Sequence, residues 1–209
     1  GTPVLQPGPY DGGKEETDTV GYVLKGYPVE PPPAVNPIDA ALFTPTSPTI
    51  LSDKVVDVGK PLTPVEPKLG MCIRKTGRTT GTTYGIITAI DTFETVCTNR
   101  ECSDYVYFTD CFEMKPASGF KYIGLGGDSG SLITLAETPN PVGLFFAGNE
   151  PGDIGIGCKA SNVAKLLNIT FLEPYTTYTM GFAPSFATAF AIGLLATPRP
   201  PPPPKAKPK

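Results

Sequence analysis

The stretch Gly126-Gly127-Asp128-Ser129-Gly130-Ser131 sets a hydroxyl between two glycines, with an aspartate immediately before it and the apolar run Leu132-Ile133-Thr134-Leu135 soon after. These residue types suit a nucleophile exposed on a tight turn, because glycine takes up backbone conformations that other residues resist. If the turn coils so that the N–H groups of Gly127 and Ser129 point the same way, they form a donor pair for the oxyanion that develops when Ser129 attacks a carbonyl. A Gly-rich hairpin turn with no chemistry is the other reading of the same residues. Nucleophilic serine also needs a base, most often an imidazole, and the 209 residues contain no histidine.

Composition narrows the field. An apolar fraction of 40% against 18% charged residues excludes a disordered polyelectrolyte. The formal charge of −3, from 17 basic and 20 acidic residues, provides no broad basic field of the kind that a phosphate backbone selects, so nucleic acid is not expected as a partner. The chain begins at Gly1 rather than methionine, which reads as a processed, truncated or engineered start and leaves an upstream segment or signal peptide open, and with it an exported or a cytoplasmic location. Five cysteines, Cys72, Cys97, Cys102, Cys111 and Cys158, occupy the middle of the chain. Cys97 and Cys102 bracket a polar loop and, with Cys111, could form a disulfide or a thiolate metal site. The spacing is not that of a zinc site and no histidine ligand exists, so neither metal nor cofactor is expected; a loop disulfide fits an exported protein.

The elements that would position the turn read as strands. Thr19 to Leu24 alternates, and a proline run closes it at residues 31–33. From Lys68 to Cys158 six short β-branched and aromatic runs, Met71–Lys75, Thr82–Ile90, Tyr105–Phe112, Ser131–Ala136, Val142–Ala147 and Ile154–Cys158, are separated by Gly, Asn, Asp or Pro turns, the pattern of an antiparallel barrel or sandwich. Residues 51–67, rich in proline and threonine, read as a linker between a first unit at 1–50 and a second at 68–172. Ser161–Asn168 is the one persuasive short helix. Residues 174–198 carry no charge, but their densest apolar part, Phe186–Ala196, is too short to cross a bilayer. This run is expected to pack on the domain or on another copy, ahead of a stiff Pro/Lys tail.

Several blocks together resemble a known family. Gly127-Asp128-Ser129-Gly130-Ser131 is similar to the nucleophile motif of trypsin-like (chymotrypsin-fold) serine peptidases, and Ile38-Asp39-Ala40-Ala41-Leu42 to the segment carrying their catalytic aspartate. Lys75 to Gly81 with Gly85 to Ile90, Pro141 to Gly148, and Val4 to Gly13 resemble a bacterial branch of that family, so that the resemblance covers about residues 3–170. It implies an all-β chymotrypsin-like double β-barrel, first barrel incomplete and second complete, with a short C-terminal helix and an extended Pro-rich tail. It implies a serine endopeptidase acting on polypeptide, with Ser129 as nucleophile, the Gly127 and Ser129 N–H groups as oxyanion hole, and Asp39 as the acid that orients an imidazole. Asp39 could also simply cap the turn after Asn36-Pro37. Asp128 matches the family's aspartate beside the nucleophile, a support for the loop. Ile123 falls at the base of the side-chain pocket, with Ala147 and Gly148 on its wall; an apolar base disfavours a cationic side chain.

In the chymotrypsin-type triad the order is His, Asp, Ser with about 45 and then about 93 residues between members, and here Asp39 and Ser129 are 90 apart. A histidine at the matching distance would precede Gly1, so the base is expected from an upstream segment or from a partner chain, and this chain alone is expected to be inactive. The reading from a different class is a non-catalytic scaffold that keeps the barrels and assembles through 174–198 and the tail.

Overall fold

The computed structural model describes residues 1–99 and 101–171, together with the backbone of Ala191–Ile192. The uncharged run 174–198 lies outside these residues apart from that pair, as does the Pro/Lys tail. Among the described residues no helix is long and apolar enough to cross a membrane.

The amino-terminal unit is an open antiparallel sheet. Strand β1 (Pro3–Leu5) pairs with β2 (Thr19–Gly26), β2 with β4 (Ala41–Pro45), and β4 with the two-residue β11 (Ala191–Ile192). Between β1 and β2 lie a 3-10 turn at Pro9–Asp11 and the single-turn helix α1 (Glu15–Asp18). Strand β3 (Val35–Asn36) leaves this unit and pairs in parallel with a strand of the second one. Residues 46–71 then cross over without a named strand, tied down by Leu62 and Val65, whose N–H groups donate to the carbonyls of Pro139 and Pro141 at 3.1 and 2.8 Å.

The second unit is a closed barrel. Strands β5 (Cys72–Gly77), β6 (Gly81–Cys97), β7 (Tyr105–Pro116), β8 (Leu132–Leu135), β9 (Pro141–Gly148) and β10 (Gly155–Lys159) follow the order β10-β9-β8-β5-β6-β7, and β10 pairs with β7 to close the ring. Closure satisfies every edge within the barrel. All six runs expected between Met71 and Cys158 are strands, with β6 and β7 longer than their alternation suggests. The polar loop at the tip of the β6–β7 hairpin is held by a Cys97–Cys102 disulfide. Helix α2 (Ala160–Leu167) follows β10 and ends where Asn168 turns left-handed and returns its N–H to the carbonyl of Ala164.

Two apolar clusters hold this arrangement. Ile73, Ile87, Phe112, Met114, Ile123, Ile133, Val142 and Phe145 fill the barrel. Outside its wall, Val106, Phe108, Cys111, Leu144, Phe146 and Cys158 pack with Val163 and Leu167 of α2 and with Ile38, Ala40 and Leu42 of the amino-terminal unit. The residues flanking Asp39 are therefore part of the seam between the units.

Cys111 and Cys158 face each other across β7 and β10 and are fully buried. Burial, the larger influence, pushes both thiols up, helped at Cys111 by the neighbouring Cys158 and at Cys158 by the charge of Asp39, and that of Cys158 rises to about 12. Thiolate is the reactive form, so a thiol reagent is expected to modify one cysteine, the exposed Cys72, in the folded chain. Denaturation without reductant should raise the count to three. Rapid modification of more than one thiol under native conditions would contradict this burial.

Candidate active site

The turn that carries Ser129 joins Ile123 in the barrel core to β8, and its conformation depends on one carboxylate. Asp128, 1% exposed, accepts hydrogen bonds from the N–H of Leu125 at 2.9 Å, of Thr79 at 2.7 Å and of Thr80 at 3.1 Å, and from the Thr80 hydroxyl at 2.7 Å. Its remaining partner is Lys75, whose Nζ lies 3.2 Å away with neither side chain exposed to solvent. The ammonium also donates to Thr80 Oγ1 at 2.5 Å and to the Gly81 carbonyl at 3.5 Å. Burial pushes Asp128 up, yet the Leu125 amide, the Thr80 hydroxyl, the Thr79 amide and Lys75 together outweigh it, and the carboxyl settles below the ordinary aspartate value. Burial dominates at Lys75 and pulls it below the ordinary lysine value, with Asp128 opposing. A buried charge is tolerable only when paired and hydrogen-bonded in this way.

This anchoring needs Gly77 at the end of β5. A Cβ built there would stand 2.7 Å from Asp128 Cγ and 2.8 Å from Ser131 Oγ, with Asp128 Oδ1 closer still. The block from Lys75 to Gly81 therefore wraps the aspartate: Lys75 supplies the charge, Gly77 the room, and Thr79 and Thr80 the donors.

Along the turn itself, used and unused N–H groups alternate. The N–H of Asp128 donates to Leu125 O at 3.0 Å and that of Gly130 to Phe145 O at 2.7 Å. The N–H groups of Gly127 and Ser129 meet no acceptor among the described residues. Gly127 has φ 99°, a conformation that side chains rarely adopt. The Ser129 hydroxyl donates to the Phe146 carbonyl on β9 at 3.2 Å. Ser129 thus sits on a turn where two N–H groups are left without an acceptor among the described residues.

Asp39 approaches β10, the neighbour of β9, from the other unit. It lies between β3 and β4, flanked by the buried Ile38 and Ala40. Its backbone and its charge both act on the buried thiol of Cys158, the charge raising it. Cys158 stands opposite Leu144 on β9, two residues from the Phe146 that receives Ser129.

The three pocket residues fare differently. Ile123 is fully buried in the barrel cluster, its N–H bonded to Gly152 O at 2.8 Å and its carbonyl accepting from the Thr83 hydroxyl at 2.7 Å. Ala147 is half-buried and Gly148 exposed at the end of β9. Two cavities, of about 370 Å³ beside Thr79, Thr83 and Tyr122 and of about 640 Å³ beside Leu24, Leu42 and Leu167, include none of the three and not Ser129. Among the described residues no group of acids and cysteines has the form of a metal site. The anchor residues Lys75, Gly77, Thr79 and Thr80 carry no signal of their own as single residues; only their block as a whole marks them.

No protein-family model matches the chain, and no curated protein matches it. Solved structures do. A glutamic acid specific serine protease described as using a histidine triad in substrate binding superimposes with a TM-score of 0.55 at 16% identity, covering 76% of this chain and 77% of that one. The chymotrypsin of Cellulomonas bogoriensis superimposes with a TM-score of 0.50 at 14% identity, covering 75% and 91%. With an open first sheet, a closed second barrel and a short carboxy-terminal helix, the chain has the chymotrypsin-like double-barrel fold.

Proposed function

We propose that this chain carries the acylation apparatus of a serine endopeptidase. The observation that carries this reading is the pair of uncommitted N–H groups at Gly127 and Ser129, on a turn anchored by the buried Asp128–Lys75 pair. In the proposed reaction Ser129 Oγ bonds to the substrate carbonyl carbon, and its proton passes to an imidazole. The developing oxyanion is held by the Gly127 and Ser129 N–H groups. The imidazolium then protonates the leaving amine as the C–N bond breaks, leaving an ester on Ser129 that water hydrolyses by the same route. Asp39 orients the imidazole and stabilises its charged form. That imidazole comes from outside these 209 residues, from upstream sequence or from a second chain.

A fluorophosphonate probe tests the assignment. In protein extended upstream of Gly1, the probe is expected to modify Ser129, with modification abolished in Ser129→Ala. The 209-residue chain should react at least about a thousandfold more slowly, as expected when the base is missing. Equal modification of the Ser129→Ala variant would remove Ser129 as nucleophile. The absence of histidine from the sequence favours one other reading, a non-catalytic scaffold that assembles through 174–198. Failure of the extended protein to react at all, with its fold intact, would favour that scaffold.

A further inference from the structure

The block from Val4 to Gly13 lies far from Ser129 in sequence, and nothing in the acylation scheme uses it. Its first residues pair in β1 with β2, and the turn that follows presents one carboxylate. Around the 3-10 turn at Pro9–Asp11, the N–H groups of Asp11 and Gly13 donate to Gly8 O at 2.9 and 3.1 Å, and that of Gly12 donates to Pro9 O at 3.1 Å. The loop is closed at its base by Gln6 N–H to Asp18 O at 2.9 Å. Asp11 projects from this turn onto the guanidinium of Arg78. This ion pair joins the open sheet to the barrel.

Arg78 in turn lies on the nucleophile turn. Its Cδ and Nη1 are 3.5 and 3.6 Å from where a Cβ on Gly127 would stand. Nη1 donates to Thr79 Oγ1 at 3.3 Å, and the Thr79 hydroxyl donates to the Gly126 carbonyl at 2.8 Å. Contacts therefore run unbroken from Asp11 through Arg78 and Thr79 to Gly126 and Gly127. Asp128 restrains the turn from inside the protein, and Arg78 covers it from outside. An arginine side chain that is 52% exposed loses several rotors when held in one place, so its position depends on the fixed acceptor.

We propose that Asp11 is a positioning residue for the oxyanion turn, acting through Arg78, so that the amino-terminal sheet sets the geometry of the nucleophile in the barrel. The role builds on the assignment of Ser129 as nucleophile, but its first test does not use reactivity. In the 209-residue chain, hydrogen exchange is measured at the bonded amides of Thr79, Leu125 and Asp128. Asp11→Asn and Arg78→Gln are each expected to speed exchange there up to about fivefold, the span of an exposed ion pair, while exchange in β6 and β7 stays unchanged. The double variant should exchange no faster than Arg78→Gln alone, because Asp11 acts through Arg78. Salt at 1 M should quicken exchange in the parent chain and leave Asp11→Asn unaffected. Unchanged exchange in Asp11→Asn, or additive effects in the double variant, would overturn the proposal. In the extended protein, Asp11→Asn should also slow fluorophosphonate modification of Ser129 by a similar factor. If the parent itself does not react, the peptidase reading falls, while the exchange result still decides whether Asp11 holds the turn.

Discussion

Lys75→Met is expected to destabilise the chain by about 3 kcal/mol, the lower end of the cost of breaking a buried ion pair by removing one partner. Methionine fills much of the space of the lysine stem, so the loss comes from stranding Asp128 rather than from a void. The lower end applies because three backbone N–H groups and the Thr80 hydroxyl still serve the carboxylate. For a domain of this size that corresponds to roughly 6–12 °C in Tm, measurable by thermal or urea unfolding. The acid limb of the stability profile should move as well. Asp128 lies below the ordinary aspartate value in the folded chain. Its contribution is thus complete above the ordinary aspartate range and is withdrawn as falling pH protonates the folded carboxyl. Without Lys75 one of the influences holding that value down is gone, so the acid transition should begin at higher pH. A Lys75→Met variant with parental Tm and acid midpoint would mean that the pair contributes nothing.

Gly77→Ala is expected to do comparable harm by a different route. The added methyl would meet the Asp128 carboxylate and Ser131 Oγ, both fixed by their own hydrogen bonds. Relief requires β5 or the turn that carries Ser129 to shift, at a cost of about 1–3 kcal/mol. Any displacement falls on the segment that carries Ser129. In the extended protein, fluorophosphonate modification should therefore drop by more than the loss of folded material explains. The comparison with Gly81→Ala separates crowding from backbone effects: Gly81 has φ 62° and nothing near its Cβ position, so that change strains the chain locally without touching Asp128. If Gly77→Ala leaves both stability and Ser129 reactivity at parental levels, the carboxylate is not held where the structure has it.

The barrel strands were legible because alternation of β-branched residues and the turn residues between runs are local signals. Where local pattern fails, so did legibility. The second half of β6 was missed because Asp91, at φ 54°, and register shifts near Ile90, Thr92 and Glu94 interrupt the period of two. Strand β1 spans three residues, one of them proline, and β3 spans two, paired with a strand some 70 residues away; neither is long enough to show a period. At the site, Ser129 announced itself through its flanking glycines. Asp128 reads as a loop support from resemblance alone, and the structure places it in that role. A lysine at a strand position facing the interior is different: its composition argues for solvent, and only the burial of Asp128 beside it explains why it is there. Ile123 illustrates the reverse problem, since counting along a loop gives a place in order but not whether a side chain faces a cleft or a core.

Strand β3 has a mechanical consequence for the acid. The Asn36 side chain donates to Tyr107 O and Glu30 O and accepts from the N–H of Glu30, so the chain is sewn to the barrel three residues before Asp39, while β4 begins two residues after it in the other sheet. Hinge bending between the two units cannot carry Asp39 away with its own sheet unless these stitches tear first. The segment that carries Asp39 is thus anchored at both ends, to barrel strand β7 before it and to the open sheet after it.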